Sequence, residues 1–216
     1  MKPRLSNQRN QALTLTEVLV VIILLVILAV LLLPILAAAK HKSSKINCAS
    51  CLRQIGLAYR EWEGDNGDKF PMQVSVTNGG AMESVATGNV FKVFQVMSNE
   101  LSTPKVLICP RDTSHVYATN FETSFDNSNI SYFTSLDAID TQPQMILSGD
   151  DNFEISGVPI KSGLLELSIN SPIAWTKERH NLVGNILFVD GSVLYQVSIK
   201  GLQNALQEAT NRLAIP

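Results

Sequence analysis

ALTLTEVLVVIILLVILAVLLLPILAAA, residues 12–39, contains sixteen consecutive apolar residues from Val18 to Leu33. Pro34 interrupts the run and Ile35 to Ala39 continue it. No charge occurs between Glu17 and Lys40. At about 1.5 Å of rise per residue, some twenty helical residues match the ~30 Å hydrocarbon core of a bilayer. A carboxylate at the edge of such a run costs free energy on insertion, less than the ~2.5–3.5 kcal/mol assigned to the centre. Glu17 therefore needs a reason to be there.

Downstream the helical pattern continues but becomes one-sided. Ile46, Cys48, Cys51, Leu52, Ile55, Ala58, Tyr59 and Trp62 recur at three- and four-residue steps, with Lys45, Arg53, Arg60, Glu61 and Glu63 mostly off the stripe. The turn residues Gly64-Asp65-Asn66-Gly67-Asp68 end it. The spacing predicts one helix from Leu13 to Glu63, roughly 50 residues and about 75 Å long. Pro34 is expected to kink it.

Ala12-Leu13-Thr14-Leu15-Thr16-Glu17 resembles the type IV prepilin cleavage and methylation signal. That family carries a short basic leader ending in a small residue, then a large apolar residue, a Thr-Leu pair and a Glu at the fifth position after the cut. The resemblance implies a leader from Met1 to Ala12, with Lys2, Arg4 and Arg9, and cleavage between Ala12 and Leu13. Leu13 would become the N-methylated terminus. Ala12 stands where Gly is usual and Leu13 where Phe is usual; Pro34 stands where many members break the helix. The family's Glu faces the positive N-terminus of a neighbouring subunit, so Glu17 and the apolar helix around Pro34 would carry assembly. A buried Glu is costly alone and tolerable when paired.

The resemblance implies an α+β, pilin-like lollipop: a long N-terminal helix, membrane-spanning in its first half, packed on a small antiparallel-sheet head. The parse is leader 1–12, transmembrane and assembly helix 13–39, amphipathic continuation 40–63 and globular head 64–216. The implied product is a structural subunit of a type IV pilus or a type II secretion pseudopilus, not an enzyme. Its partners would be other pilin-like subunits, a prepilin peptidase and an inner-membrane assembly platform. It would be single-pass in a bacterial inner membrane, N-terminus cytoplasmic and head periplasmic. One alternative is a membrane-tethered binding domain that uses the signal only for export. Another is release after Ala39, since Ala37-Ala38-Ala39 resembles a signal-peptidase site; the apolar run exceeds the 7–15 residues of a secretory core. An uncleaved anchor is the third.

The 216 residues carry a formal net charge of −2, which argues against a nucleic-acid partner. Bases flank the anchor on both sides (Lys2, Arg4, Arg9; Lys40, Lys42, Lys45), so charge alone does not orient it. Cys48-x-x-Cys51 resembles a redox or zinc half-site, but no second pair and no nearby His completes it. Cys48, Cys51 and Cys109 are disulfide candidates for an exported domain, with the pairing open and one thiol left over.

In the head, Phe70 to Asn89 reads as loop and Val90 to Leu101 as a short helix. Lys105 to Pro110 reads as a strand or extended segment and Arg111 to Asn129 as loop. Ile130–Thr134 and Gln144–Ser148 read as strands, and Gly149-Asp150-Asp151-Asn152 as a turn. Asn185–Val189 and Ser192–Val197 flank Asp190-Gly191, a two-residue primed-turn hairpin signal. Leu202 to Leu213 reads as a terminal helix.

Arg179-His180 followed by Asp190-Gly191 resembles the His-x9-Asp-Gly feature of a large prepilin-like family abundant in planctomycetes and relatives. Cys48-Leu52-Arg53-Gln54-Ile55-Gly56-Leu57 through Asp65-Asn66-Gly67-Asp68-Lys69-Phe70-Pro71, Cys109-Pro110-Arg111-Asp112 and Ser131-Tyr132-Phe133 resemble it too. No chemical role for His180, Asp190 or Gly191 comes with the resemblance. Physically, Asp190-Gly191 is explained by its turn, and His180 is expected to pack on that turn or bond a backbone carbonyl. No serine sits in a G-x-S-x-G context that would make a nucleophile. No cofactor is expected. Pseudopilins can hold calcium, and the acidic turns at Asp65/Asp68 and Asp150/Asp151 offer oxygen ligands, but neither fits the EF-hand pattern and such turns are more often solvated.

Overall fold

The computed structural model describes residues 14–206 and 210–216. The expected leader, Met1–Ala12, and its expected junction with Leu13 lie outside the described residues. The chain is α+β and divides into two compact units, residues 1–43 and Ser44–Pro216.

Helix α1, Leu15–Asp65, contains Pro34 and runs two residues beyond the expected end at Glu63. In the first unit, Leu15–Pro34 is a 20-residue stretch long and apolar enough to cross a membrane. Every side chain from Thr14 to Pro34 is exposed. In the second unit α1 is one-sided, as its spacing requires: Cys48, Leu52, Ile55, Ala58, Tyr59 and Trp62 are buried, while Arg53, Leu57 and Arg60 are exposed.

Phe70 to Asn89 is not plain loop. It holds 3-10 turns at Pro71–Gln73 and Val76–Asn78 and a short helix, α2, Met82–Val85. The expected helix at Val90–Leu101 is two pieces, α3 Phe91–Val96 and α4 Ser98–Leu101. Lys105–Pro110 departs from the expected extended segment. Pro104–Leu107 is a 3-10 turn with proline in its first turn, and Thr103 Oγ1 accepts from Lys105 N at 3.4 Å. Arg111–Asn129 is irregular apart from a 3-10 turn at Asn127–Asn129.

Among the described residues nine strands follow: β1 Tyr132–Ser135, β2 Ile146–Asp150, β3 Phe153–Ile155, β4 Val158–Pro159, β5 Gly163–Ser168, β6 Ile173–Trp175, β7 Gly184–Phe188, β8 Val193–Val197 and β9 Thr210–Ile215. Helix α5, Ile199–Ala205, precedes β9. The main sheet is antiparallel in the order β5-β9-β1-β2-β7-β8, and a small antiparallel sheet has the order β4-β3-β6.

The expected helix Leu202–Leu213 is corrected. Its first part is α5, residues 207–209 (Ala209 included) lie outside the described residues, and Leu213 belongs to β9. Strand β9 pairs with β5 over six residues, Gly163↔Ile215 to Ser168↔Thr210, and with β1. Leu213 and Ile215 enter one core and Ala214 the other, the period of two that a strand buried on both faces needs. Gly149-Asp150 is also corrected: both residues extend β2, with Gly149 opposite Phe133 and Asp150 opposite Tyr132.

The two faces of the main sheet carry separate cores. Tyr132, Leu147, Leu187 and Ala214 pack with the α1 stripe, and Tyr59 Oη lies 3.0 Å from Thr134 Oγ1. Phe133, Ile146, Ile186 and Phe188 pack with Phe153 and Trp175 of the small sheet and with Leu202 and Leu206. Asp190-Gly191 does turn a hairpin, but not of the two-residue type. Gly191 N donates to Phe188 O, Phe188 N donates to Ser192 O, and Gly191 alone is left-handed, at φ 81°. That is a three-residue loop closed by a glycine bulge.

Helix α1 meets the sheet at Gly56, where a Cβ would lie 2.7 Å from Leu187 Cδ1. Gly56→Leu should destabilise the head by about 1–3 kcal/mol through overpacking, despite the better helix propensity of Leu. Thermal unfolding of the full chain in detergent would register this as a lower midpoint. An unchanged midpoint would contradict the close approach.

Candidate functional site

At the start of α1, Thr14 and Glu17 form a reciprocal cap. Thr14 N and Thr14 Oγ1 each donate to Glu17 Oε2 at 2.8 Å, and Glu17 N donates to Thr14 Oγ1 at 3.3 Å. This is the capping-box arrangement of Thr-x-x-Glu, and it sets a negative charge at the positive end of the helix dipole. Both residues are exposed. Of the expected processing and assembly residues, Ala12 and Leu13 lie outside the described residues, and Glu17 and Pro34 both lie in α1.

In the head, the sequence segments singled out above converge on one buried polar cluster. The loop between β6 and β7 delivers Arg179 and His180 inward. Asn181 and Leu182 behind them have φ of 58° and 67°, a left-handed pair unusual for Leu, which reverses the chain within two residues. Asp112 comes from the segment after Cys109, Ser131 from just before β1, and Asp150 and Asp151 from the end of β2.

Arg179 is the hub. Its Nη2 lies 2.7 Å from Asp112 Oδ2, its Nη1 donates to Ser131 O at 2.8 Å, and Nη1 also pairs with Asp151 Oδ1. Ser131 Oγ donates to Asp112 Oδ2 at 2.6 Å and accepts from Cys109 N at 3.1 Å. Burial raises the Asp112 carboxyl, but His115, the Arg179 charge, Ser114 and Ser131 outweigh it and hold Asp112 well below the ordinary carboxylate range. Burial pushes Asp151 up despite Arg179. Burial likewise pushes Asp150 up to about 7 against the pull of Arg179 and the Asn185 donors. Asp150 and Asp151 are therefore a buried pair and not a solvated acidic turn. Asp65 and Asp68 are exposed where α1 ends.

His180 does not meet Asp190. The Asp190 side chain accepts from Ser192 N at 2.8 Å and shapes its own turn. His180 Nε2 instead lies 3.3 Å from Asp150 Oδ2, 3.3 Å from Cys109 Sγ and 3.4 Å from Asn185 Nδ2. Asn185 N and Nδ2 each donate to Asp150 Oδ2 at 2.7 Å. Asn185 Oδ1 in turn accepts from Gln196 N at 3.2 Å, at the place where the β7–β8 register slips. The open cysteine pairing is resolved as Cys48–Cys109, with Cys51 free and half-buried. Burial pushes the Cys51 thiol up, and the Asp150 charge adds to the shift.

A cleft of about 200 Å³ lies over His115, Asp151 and Arg179 and is bounded by Thr176, Glu178 and Pro216. Arg179 is committed to its carboxylates there. The nearby Ser114 Oγ and the Asp112 carboxylate approach the same His115 nitrogen, Nδ1, at 3.2 and 2.7 Å. A serine relay needs its serine and its acid on opposite ring nitrogens, so these three residues make a turn and not a triad. Ser148 Oγ donates to Phe133 O. Sequence reasoning did not find Asp112, His115, Ser131, Asn185 or Arg179 as one cluster. The only signal was that Cys109-Pro110-Arg111-Asp112, Ser131-Tyr132-Phe133 and Arg179-His180 all carried the second resemblance.

Models of known protein families, curated proteins and solved structures were compared with the chain, and none matches.

Arg179→Met would leave Asp112 and Asp151 facing each other without their cation. The expected cost is about 3–5 kcal/mol at neutral pH, the scale for breaking a buried ion pair. Without Arg179 the buried Asp151, already raised by burial, holds its proton more tightly than in the unfolded chain, so the variant should lose stability as pH rises from 4 to 7. Denaturant midpoints at the two pH values would test this. A variant as stable as the parent at pH 7 would contradict the hub.

Proposed function

We propose that the chain is a pilin-like structural subunit, of a type IV pilus or a type II secretion pseudopilus, assembled through its N-terminal helix. The observation that carries the reading is the sequence Ala12-Leu13-Thr14-Leu15-Thr16-Glu17 leading into Leu15–Pro34, a stretch exposed on every side with one carboxylate at its leading edge. Such a surface is stable in lipid or against like helices, not in water. A prepilin peptidase would cut between Ala12 and Leu13 and methylate Leu13. Glu17, which caps its own helix in the single chain, would then answer the terminal amine of a neighbouring subunit in a dry helix bundle. The N-terminus would be cytoplasmic and the head periplasmic, in a bacterial inner membrane with an assembly platform. The buried Cys48–Cys109 disulfide suits an oxidising compartment.

Glu17→Val tests the role of the carboxylate. The variant should insert into the membrane as the parent does, because a charge is removed from the span. It should lose the ladder of oligomers seen by crosslinking in membranes and enter no filament. Filaments formed at the normal level would remove Glu17 from assembly. A parent protein that is processed yet stays monomeric would favour a tethered binding domain instead.

A further inference from the structure

The cluster beneath the β6–β7 loop has a feature that neither assembly nor the ion network around Arg179 uses. Cys48 Sγ, Cys109 Sγ and a ring nitrogen of His180 lie within 4.8 Å of one another, and all three residues are buried. They come from α1, from the segment before β1 and from the β6–β7 loop. The His that the Cys48-x-x-Cys51 pattern lacks nearby in sequence is thus supplied from far along the chain. His180 Nε2 offers one proton or one lone pair, yet a sulfur, a carboxylate oxygen and an amide nitrogen all converge on it within 3.3 to 3.4 Å. Asp150 is fully buried, its Oδ2 is held by two Asn185 donors, and its Oδ1 has no hydrogen-bond partner among the described residues. A buried carboxylate oxygen without a donor is costly unless something positive reaches it.

Two thiolates and one imidazole form a three-ligand donor set for a tetrahedral borderline-soft cation such as Zn²⁺, with water in the fourth position. Zinc bonds of about 2.3 Å to sulfur and 2.0–2.1 Å to nitrogen put tetrahedral S and N ligands roughly 3.5 Å apart. The Cys109 Sγ–His180 Nε2 separation of 3.3 Å is already within a few tenths of that. The sulfurs of a tetrahedral site stand about 3.7 Å apart, so they must separate from their disulfide. We propose that this cluster is a redox-gated site for a divalent transition metal, empty while Cys48–Cys109 is a disulfide and filled by Zn²⁺ when the bond is reduced. Cys48, Cys109 and His180 are the three protein ligands and water takes the fourth position, with the buried Asp150 carboxylate, held by Asn185, beside His180. Cys51 is not a ligand.

The chemistry balances without a group from the protein. A dithiol reduces the bond in two exchange steps, its own sulfurs ending as a disulfide and Cys48 and Cys109 as thiols. Binding of M²⁺ then releases the two thiol protons. Oxidation of the pair takes both sulfur ligands away at once, so the two forms exclude each other. The site lies wholly within the second unit and does not depend on the assembly reading.

Cobalt(II) is the probe, added to the full chain in detergent micelles. A phosphine reductant breaks the disulfide, taking oxygen from water as it becomes the phosphine oxide. The reduced protein should bind one Co²⁺ with the intense visible bands of a tetrahedral ion and thiolate charge transfer, and Zn²⁺ should displace it. The oxidised protein should give neither band. Cys51→Ser should keep both, and His180→Gln should lose the tetrahedral spectrum. A second readout needs no variant: Zn²⁺ should protect Cys48 and Cys109, but not Cys51, from alkylation at least tenfold, read by peptide mapping. The proposal is overturned if the reduced chain gives no tetrahedral cobalt spectrum, whether or not it stays folded. It is equally overturned if Cys51→Ser abolishes binding, or if zinc leaves alkylation of Cys48 and Cys109 unchanged.

Discussion

Leu15–Pro34 presents apolar side chains to every side, and among the described residues of its own unit no protein surface covers them. At about 25 cal/mol per Å² of apolar surface, such a stretch cannot rest in water. Its backbone bonds are satisfied within the helix, so lipid or neighbouring helices are suitable surroundings. Glu17 is the one charge in the stretch, and it sits where the helix dipole and the Thr14 donors make a carboxylate least costly. Pro34 closes the stretch. Past Ser44 the same helix becomes one-sided, and its stripe is the floor of the head's first core. One helix therefore combines a part that needs a partner outside the chain with a part that completes a fold.

The head is held by apolar packing on both faces of a six-stranded sheet and, between the loops, by paired charge. Arg179 meets Asp112 and Asp151, so each of these buried charges has an opposite partner. The Cys48–Cys109 disulfide joins α1 to the segment that carries Asp112, across a sequence separation of 61. A loop of that length restricts the unfolded chain by about 4 kcal/mol in the chain-entropy account. The bond and the ion network meet at Ser131, whose Oγ accepts from Cys109 N and donates to Asp112. The Arg179-His180 pair thus divides its work: the guanidinium neutralises acids, and the imidazole faces the sulfur and Asp150.

Much of this was legible before the fold was known, for physical reasons. The α1 stripe from Cys48 to Trp62 obeys a period near 3.6 over four turns, which no strand could bury. The Asp190-Gly191 turn was legible because a left-handed position favours glycine. The C-terminal segment was misread because Leu202, Ala205, Leu206 and Leu213 satisfy helical spacing, while Leu213-Ala214-Ile215 is too short to show its alternation. Strands β3 to β6 lack a strong pattern because β4 is exposed and β5 is an edge strand. The Asp150-Asp151 stretch read as a solvated turn because acids next to glycine usually are. The distant Arg179 makes the burial of Asp151 tolerable and the distant Asn185 that of Asp150, and no local spacing announces partners that far along the chain. For the same reason the His180 partner was out of reach: Asp150 lies opposite Tyr132 across a ladder, not ten residues on at Asp190.

The most direct measurement is the mature N-terminus, read by mass spectrometry of the membrane fraction. The account predicts a chain beginning at an N-methylated Leu13. A chain beginning at Lys40 would mean a released domain, and an intact Met1 an unprocessed anchor; either would contradict assembly through a processed N-terminal helix.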